Sequence, residues 1–350
     1  MTTNLGNRTT LSDLAERAQV SVSTVSRALR GKPGAGPDLA RRIRELADTL
    51  GYRPHPAARS LSTGRTYAIA AVVRDLPNPY YTRVLDGIYR AAREQDYSVQ
   101  LHLTRNQEDI PRLWADCSDR RWDGLIIALP GRYLTYQNFL QRVAAAHLPI
   151  VLYGPTFTPF VDSVGVDYVQ AGRMAVAHLV ELGHQRIAHL CTPDLQMAEG
   201  SRLAGFQQGM LEHQLPYRKE WVLEGLGMRR EGYRAMQELL RCDELPTGIV
   251  CHNDLAAIGA MAAIRDAGLR VPEDFSVVGF DNIEDDDFLP VKLTTVDQPA
   301  EEIGRMLVKT LLERIASPDH PEMTTVRMEA RLIVRESTAP PRKTPTLRRV

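Results

Sequence analysis

Ser23, Ser26 and Arg27 lie within residues 22–29, spaced so that one face of a helix presents all three. Val25, Ala28 and Leu29 fall on the opposite face. Hydroxyl and guanidinium groups displayed together suit hydrogen bonding to the edges of nucleic-acid bases, arginine to guanine above all. A second set of reactive side chains is scattered far downstream. Arg202 opens the string Ser-Arg-Leu-Ala-Gly-Phe, Asn253 and Asp254 adjoin, and Asp281 follows an apolar run. Guanidinium, amide and carboxylate groups each form paired hydrogen bonds, a chemistry suited to a ligand rich in hydroxyls.

The elements that must carry the first set are short. Leu11, Leu14, Ala15 and Ala18 keep helical spacing, Gln19-Val20-Ser21 interrupts them, and Ser21 is a good N-cap for a second helix over 22–29. Two short helices joined by three residues follow the helix-turn-helix plan, whose second helix enters the DNA major groove. A plain helical hairpin at the edge of a core has the same pattern. Gly36-Pro37 then starts a third helix with Leu39, Ile43, Leu46 and Leu50 as its apolar stripe, and Gly51 sits at the C-cap glycine position. Arg41, Arg42 and Arg44 decorate it. Pro56 can begin a further single turn that Gly64 ends.

Charge separates the two ends of the chain. Lysines and arginines match acids at 43 each, yet residues 1–65 hold eleven cations against five anions. A neutral total therefore hides a basic head on an acidic body, and phosphate neutralisation by such a head makes binding salt-dependent. At 350 residues the chain suggests two or three folded units. No apolar run reaches the ~18 residues of a membrane span, and residues 1–10 lack the apolar core of a secretory signal. Cys117, Cys191, Cys242 and Cys251 show no metal-ligand spacing and read as buried, reduced thiols of a cytoplasmic protein.

From Tyr67 onward apolar strands alternate with helices: strands at 67–73, 98–103, 124–129, 150–153, 186–191, 248–251 and 275–280, and helices at 80–94, 110–121, 138–146, 168–182, 202–213, 231–240 and 255–267. This alternation implies an α/β body of parallel sheets with helices on both faces.

The strings Val-Ser-x-x-Thr-Val-Ser-Arg-x-Leu from Val20, Gly-Tyr-x-Pro from Gly51 and Ala-Arg-x-Leu from Ala58 resemble the LacI/GalR family of bacterial transcription regulators. The resemblance extends over nearly all the chain. It implies a small all-α helix-turn-helix domain at 1–53, a hinge helix or linker at 54–66, and a bilobed periplasmic-binding-protein-like body at 67–338. One lobe takes about 67–167 and 297–327, the other about 168–296 and 328–338. Residues 339–350 read as a disordered basic tail. The implied protein is a homodimeric repressor. Its affinity for a near-palindromic double-stranded operator is set by a small effector, a sugar, bound between the lobes. No cofactor, metal or membrane is expected. Thr10, Leu11, Ser21, Val22, Ser23, Thr24, Ser26, Arg27, Arg30, Tyr52, Ala58, Arg59 and Leu61 are the expected DNA-contacting residues. Leu61 would wedge into the minor groove from a hinge helix over 56–62. His55 and Arg30 replace asparagines frequent in the family, and Gln19 stands where the turn often has glycine.

Effector contacts are expected at the carboxyl ends of the strands: Tyr80, Tyr81, Tyr153, Asp167, Arg202, Asn253 and Asp281. Simpler roles exist for several. Asp281 can cap a loop, Tyr80 and Tyr81 can pack a helix start, and Arg202 can pair with Glu199. Asp285-Asp286-Asp287 reads as a solvated loop, since it lacks calcium-loop spacing. No nucleophile elbow, zinc signature or dinucleotide fingerprint appears. A solute-binding protein, or a sugar-processing enzyme with an appended helical hairpin, is the alternative.

Overall fold

A computed structural model describes the chain apart from residues 1–8, 30, 32, 53–59, 61–62, 74–75, 105–108, 120, 129–132, 155–160, 192–200, 225–226, 319, 321 and 343–350. The chain divides into two units, Met1–Thr66 and Tyr67–Val350.

The first unit is helical. Helix α1 (Leu11–Ala18) starts at a capping box: the Thr10 hydroxyl accepts the Asp13 N–H, and the Thr10 N–H donates to the Asp13 carboxylate at 2.7 Å. Gln19 ends it in the left-handed conformation at φ 54°, bonding back to Ala15 and Glu16. The Ser21 hydroxyl accepts the Thr24 N–H at the start of α2 (Val22–Leu29). Helix α3 (Pro37–Thr49) begins at its proline, and Gly51 follows it at φ +61°. Leu14, Val25, Ala28 and Ile43 form the buried centre of the three helices.

In the second unit the strands form two six-stranded sheets. The first contains β1 (Ala68–Val73), β2 (Ser98–Leu103), β3 (Gly124–Ala128), β4 (Ile150–Tyr153), β5 (Asp162–Val166) and β11 (Thr325–Met328), in the order β11-β5-β4-β3-β1-β2 and all parallel. The second contains β6 (Ile187–Cys191), β7 (Val222–Glu224), β8 (Gly248–Cys251), β9 (Ser276–Asp281), β10 (Thr294–Asp297) and β12 (Arg331–Ile333), in the order β12-β10-β9-β8-β6-β7. Its edge strand β12 runs antiparallel to β10, where only parallel pairing was expected. Each sheet is the centre of one lobe, and the chain passes between lobes after β5, after β10 and after β11.

Helices α4 (Pro79–Glu94), α5 (Ile110–Ser118), α6 (Tyr133–Ala145) and α11 (Ala300–Ala316) belong to the first lobe. Helices α7 (Tyr168–Glu181), α8 (Arg202–Glu212), α9 (Arg229–Leu239) and α10 (Asp254–Asp266) belong to the second. Gly87 of α4 and Gly304 of α11 let those two backbones touch: a Cβ on Gly304 would meet the Val84 carbonyl, and one on Gly87 the Glu301 carbonyl.

Several expectations need correction. Helix α11 and strands β5, β7, β10, β11 and β12 were not anticipated, and α6 begins at Tyr133 rather than near 138. The acidic run is a 3-10 turn, Glu284–Asp287, in which Asp286 is fully buried rather than solvated. Burial, with the neighbouring Asp254 adding to it, pushes that carboxyl up to about 10. The first residues of the expected disordered tail are packed. The Ala339 carbonyl accepts from the Ser276 hydroxyl at 3.0 Å, and the Ala339 N–H donates to the same oxygen. Cys242 is half-buried, whereas the other three thiols are buried.

Candidate functional site

The head presents its second helix outward. Val22, Ser23 and Arg27 are exposed, and Thr24 and Ser26 are half-buried. Ser21 and Thr24 share a hydroxyl contact of 2.8 Å, so both serve the turn as well as the surface. Thr10 is engaged in the capping box, and Leu11 and Tyr52 pack against the head's core. Arg30, Ala58, Arg59 and Leu61, and with them most of the expected hinge helix, lie outside the described residues.

In the body, residues at the carboxyl ends of the strands converge between the lobes. Asp281 ends β9 at φ 116°, a left-handed conformation unusual for a residue with a side chain. Its carboxylate accepts from Asn78 Nδ2 at 2.8 Å on one oxygen and from Gln298 Nε2 at 2.7 Å on the other. Arg202, at the first turn of α8, lies 3.6 Å from the same carboxylate. It donates to the His252 carbonyl and lies over the rings of Phe280 at 3.7 Å and Tyr168 at 4.9 Å. The geometry combines an ion pair with cation–π contact.

Tyr80 and Tyr153 form the other wall. Their hydroxyls are 2.8 Å apart, and Tyr153 donates to Gln298 Oε1 at 3.1 Å. The Tyr168 hydroxyl reaches Tyr153 at 3.2 Å. Tyr81, half-buried, sets its ring edge-on to Tyr80 and Tyr153 at 5.4 and 6.3 Å.

Burial lifts the Asp281 carboxyl from 3.8 to about 7. Arg202 opposes that rise, Asp254 adds to it, and the Asn78 and Gln298 amides hold it back. Burial works against the charge on Arg202 in turn, but Asp281 beside it and the surrounding tyrosine hydroxyls more than offset this and raise its pKa. Burial pushes the Tyr80 and Tyr153 hydroxyls well above the ordinary phenol value, so both are neutral donors. His189, stacked on Phe206, is driven down to about 4 by burial and is therefore neutral.

The structure thus brings Tyr80, Tyr81, Tyr153, Arg202 and Asp281 together, and it gives two other candidates helix-capping roles beside them. Asn253 caps α10: its Oδ1 accepts the Ala256 N–H and its Nδ2 donates to the Gly227 carbonyl. Asp167 caps α7 by accepting the N–H groups of Val169 and Gln170. Arg202 pairs with Asp281, and Glu199, the local acid considered for it, lies outside the described residues. Asn78, Gln298, Tyr168 and Phe280 complete the site and were not singled out. Each lies at a strand's carboxyl end or a helix start, the same positional signal that marked Asp281.

A helix-turn-helix head in series with a two-lobed body, whose cleft gathers charged and aromatic groups, defines a ligand-responsive DNA-binding regulator. Comparison with known proteins sharpens this. Residues 10–55 match the family model for bacterial regulatory proteins of the lacI family, and residues 176–338 match a periplasmic binding protein-like domain. The chain is 31% identical over 332 residues to the HTH-type transcriptional repressor PurR of Haemophilus influenzae (strain PittEE), spanning 94% of this chain and 98% of that protein. It is similar to the solved complex of the transcriptional regulator CelR with cellobiose, at 29% identity and a TM-score of 0.72, covering 94% of this chain and 100% of that one. It is also similar to the lac repressor dimer bound to operator and the anti-inducer ONPF, at 27% identity and a TM-score of 0.81, covering 95% and 100%. A LacI-family regulator from Enterococcus faecium with bound ribose matches at 29% identity and a TM-score of 0.68, covering 78% and 99%. The chain belongs to the lacI family. It is a transcriptional repressor with an effector-binding domain, and its relatives are repressors rather than enzymes. No helix among the described residues is long and apolar enough to cross a membrane.

Proposed function

We propose that the cleft binds a polyhydroxylated effector, a sugar, and that this ligand sets the affinity of the head for its operator. The observation that carries the reading is the pairing of Asp281 with Arg202 at 3.6 Å against the faces of Phe280 and Tyr168. A carboxylate and a guanidinium take vicinal hydroxyls two hydrogen bonds at a time, and aromatic faces cover the apolar side of a sugar ring. Cellobiose and ribose in the similar solved proteins support this class.

The head reads DNA through Val22, Ser23 and Arg27 on α2, with Thr24 and Ser26 beside them. One such helix covers only a few base pairs, so specific binding calls for a dimer on a near-palindromic site, as in the operator-bound lac repressor dimer. The exposed Tyr89, Leu101 and Leu103, on α4 and on the edge strand β2, offer an apolar surface for that dimer. The regulator acts in the cytoplasm.

A thermal-shift panel of mono- and disaccharides, ribose and cellobiose among them, with nucleobases as the contrast, tests the effector class. A ligand at 100 times its Kd stabilises by about 2.7 kcal/mol, and Asp281→Ala and Arg202→Ala are expected to abolish the shift. A sugar whose shift survives both substitutions binds elsewhere and overturns the assignment.

A further inference from the structure

Asn78 precedes Pro79 at the start of α4 in the first lobe, and its side chain is committed at both ends. Its Oδ1 accepts the Tyr80 N–H at 3.0 Å and caps the helix. That bond decides which end of the amide is which, because a backbone donor demands the oxygen. Nδ2 is left facing the second lobe, where it donates to Asp281 Oδ2 at 2.8 Å. One turn along α4, Arg83 donates to the carbonyl of Asn282 at 3.0 Å. Two side chains of one helix therefore hold two consecutive residues of the opposite lobe. Both of those residues, Asp281 and Asn282, have left-handed backbones, at φ 116° and 53°. The second oxygen of Asp281 takes Gln298, whose own orientation is set by the Tyr153 hydroxyl on its Oε1. Asp281 is only 2% exposed, so these donors replace water rather than compete with it.

We propose that Asn78 is an interlobe latch: its amide holds the cleft closed by gripping the carboxylate of Asp281, with Arg83 as the second catch. The proposal rests on the reading of Asp281 as the effector's carboxylate only for its consequence. A ligand that displaces Asn78 from Asp281 undoes this hold, so latch and ligand meet at one carboxylate. The bond itself stands on geometry.

Two substitutions separate the latch from the helix cap. Serine and aspartate are both good N-caps, so Asn78→Ser keeps the cap and loses the reach to Asp281. Asn78→Asp keeps the cap and sets a second carboxylate against it. Amide hydrogen exchange, followed by mass spectrometry on the full chain without added ligand at pH 8, reads the cleft. Exchange across 78–84 and 281–290 is expected to rise at least threefold in Asn78→Ser and further in Asn78→Asp, while 255–266 in α10 keeps its protection. In an Asp281→Ala background, Asn78→Ser is expected to add nothing. Unchanged exchange in Asn78→Asp overturns the latch. So does an Asn78→Ser effect that persists without Asp281, or one that spreads equally to 255–266. Failure of every sugar in the thermal-shift panel, with this exchange pattern intact, removes the effector reading and leaves the latch standing.

Discussion

Asp281 is expected to weaken the fold at the pH where it works, and the size of the effect follows from its surroundings. Burial lifts its carboxyl from the ordinary 3.8 to about 7 even though Arg202, Asn78 and Gln298 all favour the charged form. A carboxyl raised on folding contributes stability that is fully present below the unfolded value and is lost as pH rises through the folded one. The window is therefore pH 4 to 7. At 1.36 kcal/mol per pH unit, a rise to about 7 corresponds to roughly 4 kcal/mol across that window. Asp281→Asn preserves the shape and removes the titration. Asp254 and Asp286 also titrate upward and interact with Asp281, so the difference between the two proteins reports the coupled carboxyls together. The measurement is chemical unfolding of wild type and variant at half-unit steps from pH 4 to 8. Wild-type stability minus that of the variant is expected to fall by roughly 4 kcal/mol over the range, about 10 °C in melting temperature for a body of this size. A difference that stays flat, or that grows with pH, means Arg202 outweighs burial, and the account of the site's electrostatics is then wrong.

Other outcomes follow from single features. Arg27→Ala is expected to cost about 1–3 kcal/mol of operator affinity and to relax specificity at one position of each half-site; in a binding-site selection, equal loss on all sequences would demote Arg27 to a phosphate contact. Arg314 holds the buried carboxylate of Asp162 through two bonds of 2.8 Å. Arg314→Met leaves that charge without its counter-ion, with only the Thr324 N–H still donating to it, so a loss of about 3–5 kcal/mol is expected in urea unfolding, and a loss below 1 kcal/mol would contradict it. Footprinting is expected to show two symmetric half-sites protected together, whereas a single unsymmetrical half-site bound by monomer would exclude the dimer.

The head was legible because its signals are local. Ser21, Pro37 and Gly51 punctuate helices whose apolar spacing lies within a dozen residues, and the structure uses all three as caps or starts, whereas the capping box at Thr10 was not read. The body's rhythm was legible for the same reason, whereas α11 and the short strands near the lobe crossings take their meaning from distant partners. The cleft was readable by position but not by pairing. Asn78 and Asp281 are 203 residues apart, and nothing local foretells their bond. Asn253, a polar residue after a strand, also has a local task that position does not reveal: its amide accepts the Ala256 N–H and donates to the Gly227 carbonyl. Asp286 shows the same limit from the other side: three acids in a row look solvated until the fold turns the middle one inward.

The three passages between lobes bear on how the chain is made. The first sheet starts at Ala68 but acquires β11 only at Met328, and the helix that seals α4, with Ile303, Leu307 and Leu311 buried, starts at Ala300. More than a hundred residues of the second lobe are synthesised between β5 and that helix. At about 5–20 residues per second, the growing first lobe carries a bare apolar seam beside Gly87 for roughly seven to twenty-seven seconds. During that interval the fold itself does not cover it. Neither lobe can be cut out as a continuous fragment, because a break anywhere from β5 to β12 strips a strand or a helix from one of them.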